Sequence, residues 1–256
     1  MNGVTIEEVR TPRGKPGLRD VRLVDGRSLR VPADLVRDQN LAAGGSVEPA
    51  RLAELERHDR FVRTRARARR LLAVRPRTEE ELRRALLRGD VEAPVVEDVL
   101  DELRHEGAVD DEAWARTFAE EKRRTRQYAP ARIEAELLRR GIERELARTA
   151  AREPYEDALD AEGVLFDEAC GLLQRRSSRY EGLESAVAGR RMAGLLNRAG
   201  YPASTAIDAV RVRLEEMEAA GLLARAAGDL DVDGEERAGG ETMTGDGKGS
   251  GADHDG

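Results

Sequence analysis

Aromatic residues make up only 3% of this 256-residue chain, cysteine occurs once, and three of its 44 basic residues are lysine. So few aromatics cannot fill one thick core, and small helical units with thin cores fit the composition better. The single thiol, Cys170, excludes an intramolecular disulfide and fits a reducing compartment. Its setting in DEACGLL predicts a buried side chain. No run approaches the roughly 18 apolar residues needed to cross a bilayer. The opening MNGVTIEEVR carries acids where a signal peptide needs an apolar stretch. A cytoplasmic protein without membrane contact is expected. Catalytic patterns are missing too: there is no GxxxxGK[ST] loop, GDGKGS having the wrong spacing, and no GxSxG. His58, His105 and His254 are scattered, with no partners at ligand spacing. No catalytic residue, metal or cofactor is expected.

What the chain does have is arginine. All basic residues except Lys15, Lys122 and Lys248 are Arg. Guanidinium favours bidentate pairing with carboxylate or phosphate, which hints at binding surfaces. A GC-rich genome would give the same bias. The formal net charge of −7 is confined to residues 226–256, which hold nine acids and two bases. Residues 1–225 are therefore neutral overall. Residues 223–256, rich in Gly, Asp and Glu, cannot bury enough apolar surface to offset chain entropy, and they read as a disordered tail.

Residues 1–58 have the pattern of a small β-containing unit. VTIEEV alternates, and TPRGKPG breaks it. LRDVRLV and SLRVP follow, joined by Asp25-Gly26, a pair that favours a hairpin in which both turn positions have positive φ. Val21, Leu23, Leu29 and Val31 would share one face. PADLVRDQ predicts a short helix, and PARLAELERHDR begins another.

From Arg60 onward the apolar spacing is three and four, which predicts helices. A weak repeat runs through LRRALLRGD, IEAELLRRG and MAGLLNRAG, each between a longer and a shorter helical segment. Three tandem three-helix modules follow, at 59–106, 108–152 and 155–222. They are expected to stack in an elongated array. Thr78 and Glu81 read as a reciprocal capping box. Pro94 suits a first helical turn, and Gly141 and Gly200 are natural helix stops.

The stretch EGAVDDEAWARTFAEEKRR places paired acids beside the only tryptophan. Paired carboxylates can hold a metal or share a proton. Here the helical reading accounts for them. Asp110 is an N-cap, Asp111 and Glu112 complement the helix dipole, and Lys122, Arg123 and Arg124 sit at its other end. Trp114 and Phe118, four apart, read as core.

Between Asp59 and Glu79 lie eight arginines and no acid. Arg63, Arg67 and Arg70 fall on one helical face, and Arg75 and Arg77 follow in the loop. Such a strip suits phosphate backbones or an acidic protein groove. The blander reading is a solvated face paired with nearby acids. In a second cluster (Lys122, Arg123, Arg124, Arg126, Arg132, Arg139, Arg140), Glu134 and Glu136 are expected to neutralise the surface. The candidate partner-binding or DNA-binding face is thus Arg63, Arg67, Arg70, Arg75, Arg77, Arg123 and Arg124. Tyr128 and Tyr180 could stack on bases, although core or helix-end roles fit better.

VDDEAWARTFAEEKRR resembles the "DD-E-x-[FYW]-A" segment of the RecX family, regulators of the RecA recombinase. RARARRLLAVRPRTEEELRRAL and APARIEAELLRRGI are similar to two further segments of that family, in order and at the expected spacing. The front unit resembles an extension found on longer members. In the first module LLRGDVEAP departs from the family ending, the third module matches weakly, and the acidic tail lies outside the pattern. The resemblance implies a monomeric, non-enzymatic regulator in DNA repair. It would bind the RecA–single-stranded-DNA filament and dampen its ATP hydrolysis and strand exchange. The alternative from the residues alone is a helical module that binds nucleic acid without a recombinase.

Overall fold

The computed structural model describes residues 3–89, 91–156 and 160–224. The expectation of a disordered tail falls almost wholly outside these residues. Its first two residues are described: the Ala224 N–H donates to the Leu183 carbonyl at 2.9 Å, so the third module extends past residue 222.

The N-terminal unit is a four-stranded antiparallel sheet in the order β3-β2-β1-β4. Its strands are β1 (Val4–Arg10), β2 (Leu18–Leu23), β3 (Ser28–Pro32) and the two-residue β4 (Ser46–Val47). Val21, Leu23, Leu29 and Val31 all face the core, as their alternation predicts. The turn differs from expectation. Gly26 has φ +88°, but Asp25 is not among the residues with positive φ. The Gly26 N–H reaches the Leu23 carbonyl at 3.0 Å, and the Leu23 N–H reaches Arg27 at 2.9 Å. A type I turn closed by a left-handed glycine satisfies this pattern with one positive φ. A short helix, α1 (Ala33–Asp38), packs against β3 and β2.

Helix α2 (Pro49–Val74) starts where PARLAELERHDR predicts and runs on without a break through the change of pattern at Arg60. Its first half buries Leu52 and Leu55 in the core of the sheet unit. Its second half buries Ala68 in the next core. One continuous helix therefore crosses the 58/59 boundary.

The first module adds α3 (Glu79–Leu87) and α4 (Ala93–His105). Its core is Leu82, Leu86, Val96, Val99, Leu100 and Leu103. Each of these side chains contributes about 1.5–3 kcal/mol on full burial. The second module is α5 (Asp111–Arg126), α6 (Pro130–Arg139) and α7 (Arg144–Glu156). Helix α7 runs past residue 152 and buries Tyr155. The third is α8 (Ala161–Gln174), α9 (Ser185–Ala199) and α10 (Ala203–Ala219), with a 3-10 turn at Ser177–Arg179. Helix α8 begins with AEGVLF, ahead of the DEACGLL segment that holds Cys170. Cys170 is only partly buried, because it packs at the margin of the third core.

Four cores therefore follow one another along the chain. The substantial packing between elements lies within a unit or between successive units. The protein is mainly α, with tandem three-helix modules in an extended row behind the sheet unit.

Two joints hold the modules in register. Between the first and second, Thr78 accepts from the Glu81 N–H at 3.1 Å and donates to the Arg140 carbonyl at 2.8 Å. Half of the expected capping box is present. Glu81 does not complete it but accepts from Arg75 and from Arg140, at 2.8 and 2.7 Å. Asp110 caps its own helix through the Ala113 N–H at 2.9 Å. Asp111 reaches across to the previous module and accepts from the Glu79 N–H at 2.8 Å, capping α3. Burial pushes the Asp111 carboxyl above its ordinary range, and the bond from Glu79 opposes that shift. Between the second and third modules, the Ala129 N–H donates to the Ala199 carbonyl at 2.9 Å. Ala129 itself lies in the third core.

Candidate protein and nucleic-acid interface

The arginines of α2 are mostly engaged within the chain. Arg63 donates to Asp59 at 2.7 Å and to the Ser28 carbonyl at 3.0 Å. Asp59, only 8% exposed, also accepts from the Arg30 N–H at 2.6 Å. Arg63 therefore fastens α2 to the hairpin. Arg67 donates to the Ala85 and Leu86 carbonyls at 2.9 and 3.3 Å, where α3 runs out of partners. Arg65 and Arg69 share Glu106, whose carboxyl they hold below its usual range. Arg60 lies 3.4 Å from Glu92. Arg70 is exposed and has no carboxylate within 4.0 Å among the described residues.

The remaining candidates divide in the same way. Arg75 is held by Glu81 at 2.8 Å, and Arg77 donates to the Leu71 carbonyl at 3.3 Å. Arg123 binds Glu168 at 2.7 Å and lies over the Tyr155 ring at 4.6 Å from its centroid. Glu168 also accepts from the Tyr155 hydroxyl at 2.8 Å, so this cluster is part of the second joint. Arg124 is exposed and unpaired among the described residues. In the second cluster Glu136 takes Arg132 at 3.0 Å and Arg139 at 3.8 Å. Glu134 forms no such pair there, and Arg140 turns to Glu81.

Arg63 and Arg70 still line one open cleft of about 700 Å³ together with Lys15, Arg30, Arg65 and Arg69. Arg67 is not part of it, because its guanidinium is turned toward α3. Arg123 and Arg124 line a different cleft, of about 750 Å³, whose walls also carry Glu120, Glu153 and Glu168. Arg77 borders a third cleft, beside Trp114. The seven candidates therefore do not form one surface.

Arg67→Ala should lower the melting temperature, because two helix-end carbonyls lose a charged donor worth about 1.5–3 kcal/mol. Arg70→Ala should change stability by less than about 0.5 kcal/mol. Thermal denaturation of the two variants checks this, and equal melting temperatures would rule out Arg67 as a cap.

Sequence reading missed a basic cleft on the third module. Arg176, Arg179, Arg190, Arg191 and Arg198 line it, and no acid does. A weak signal was available: Arg191 and Arg198 are seven apart, two turns along α9. The turn that returns Arg176 and Arg179 to that face could not be read.

The first three-helix domain of RecX matches residues 65–103, and the second matches residues 110–150. The chain is 34% identical over 181 residues to the regulatory protein RecX of Thermobifida fusca, covering 70% of this chain and 88% of that one. Against the regulatory protein RecX of Amycolatopsis mediterranei it is 31% identical over 171 residues, covering 67% and 94%. Among solved structures, a crystal structure of regulatory protein RecX matches with a TM-score of 0.63 at 19% identity, over 79% of this chain and 96% of that one. RecX from Lactobacillus salivarius matches with a TM-score of 0.51 at 17% identity, over 63% and 98%. These two structures share the fold.

Proposed function

The chain belongs to the RecX family of regulatory proteins, and from that premise we propose that it binds the filament of RecA recombinase on single-stranded DNA and lowers the filament's ATP hydrolysis, strand exchange and growth. The match to relatives along nearly their whole length carries this reading. The architecture suits it physically. A row of modules can touch successive subunits of a polymer, and linked weak contacts combine through raised effective concentration. The protein acts as a cytoplasmic monomer and by binding, not by making or breaking bonds. Its free cations, Arg70 and Lys15 among them, face outward from the cleft beside α2. Exposed charge pairing of this kind weakens with salt.

The direct test is RecA-dependent ATP hydrolysis on single-stranded DNA, with increasing amounts of this protein. A fall in the steady-state rate to a low plateau is expected. An unchanged rate at several-fold excess over RecA would overturn the reading.

A further inference from the structure

The cleft on the third module stands apart from every other basic surface described above. Around α2 nearly every guanidinium has an acid or a carbonyl of its own chain. On the third module Arg176, Arg179, Arg190, Arg191 and Arg198 form no ion pair within 4.0 Å among the described residues. Arg179, Arg190, Arg191 and Arg198 are exposed. Their cleft, about 530 Å³, opens to solvent between the 3-10 turn and α9. Tyr180 lies in its wall. Burial raises the phenol's proton affinity, and the charges of Arg176, Arg179 and Arg198, which line the same cleft, oppose that shift.

A second hollow, of about 300 Å³, continues the first and shares Arg176, Leu195 and Arg198 with it. Arg126, at the end of α5, lies on its far side. The track therefore crosses the second joint. Tyr128 and Leu195, both partly exposed, add apolar surface beside the cations, and Arg132 already lies over the Tyr128 ring at 5.4 Å.

So many like charges around one hollow repel one another, and an anion would relieve that repulsion. Among anions, a chain of phosphates carrying flat apolar groups matches a lining of cations with Tyr128 and Leu195 beside them. Guanidinium takes phosphate bidentately, and single-stranded bases pack on aromatic and aliphatic surface. A duplex would present phosphates only and leave the apolar floor uncovered.

We propose that this track binds the backbone of single-stranded nucleic acid, with Arg176, Arg191 and Arg198 as the central phosphate contacts and Arg126 extending the path onto the second module. The inference does not depend on the recombinase reading, since the site is complete within this chain.

The test uses the full-length chain and a fluorescent oligo-dT, without recombinase, by anisotropy across a salt series. The wild type should bind, with an affinity that falls as salt rises. Arg191→Glu with Arg198→Glu should weaken binding by at least about tenfold, since removal of one good phosphate contact already approaches that factor. Arg37→Glu with Arg148→Glu changes net charge equally at surface pairs elsewhere and should cost less than about threefold. The milder Arg191→Gln with Arg198→Gln gives the same reading if the reversal disturbs folding. Equal losses in the two reversal pairs would reduce the effect to net charge and overturn the site. So would tighter binding of poly-glutamate than of oligo-dT, which would assign the cleft to an acidic protein. Failure here with intact inhibition of ATP hydrolysis leaves the recombinase reading standing. The opposite pattern separates them the other way.

Discussion

Replacing Gly200 by alanine should cost about 2–4 kcal/mol, combining the strain of a left-handed alanine with overpacking against a neighbour. Gly200 follows α9 with φ +88°. A Cβ there would stand 2.5 Å from the Arg132 backbone nitrogen and 3.1 Å from its Cα. Arg132 belongs to α6, in the preceding module. Its main chain cannot swing aside as a long side chain could. The same contact is bridged next door by the Ala129 N–H on the Ala199 carbonyl, and by the Tyr201 hydroxyl on the Gln127 carbonyl at 3.2 Å. The substitution therefore pries at the second joint and not only at one turn. Gly182 is the control, with φ +72° and nothing within 4 Å of its notional Cβ. Gly182→Ala should show the conformational strain alone, about 1–2 kcal/mol. Urea titration of both variants checks the difference. Equal midpoints would mean that α6 yields and that the joint is soft.

Where the determinants are local, the sequence was enough. The hairpin face, the Asp110 cap and the helices of the first two modules follow from spacing and end chemistry over a few residues. Charge is different. Whether Arg65 is free depends on Glu106, 41 positions away, and Arg67 is occupied by carbonyls 18 and 19 positions on. An acid-free run in sequence is no guide to an acid-free surface once helices pack. The converse holds for the third module. Glu181 and Glu184 sit between its arginines in the chain, so the run looked mixed, yet neither lines the cleft. Asp111 shows the same limit. Its neighbours suggested a role in its own helix, and the fold lends its carboxylate to α3 instead.

The segments that carry the family resemblance converge on the first joint, and Arg140→Glu should show what that joint does. The Arg140 guanidinium meets Glu81 at 2.7 Å and lies 4.9 Å from the Phe118 centroid and 5.5 Å from that of Trp114. The two rings are themselves stacked at 5.1 Å. Removing a charged hydrogen bond and the cation–π contacts, and adding like charge beside Glu81, should cost about 2–4 kcal/mol. Glu81 is not left bare, because Arg75 also holds it, so the helices themselves should survive. Far-ultraviolet dichroism should be unchanged at low temperature, while calorimetry should show the first module unfolding separately from the second. A row that bends at this joint cannot place all its contacts on a filament at once, so half-maximal suppression of ATP hydrolysis should need at least about tenfold more protein. The swap of Arg140→Glu with Glu81→Arg should recover part of the loss, limited by the repulsion it creates with Arg75. Unaltered melting and inhibition in the single variant would mean that the modules work independently, and the reading of a stiff row spanning several subunits would fall.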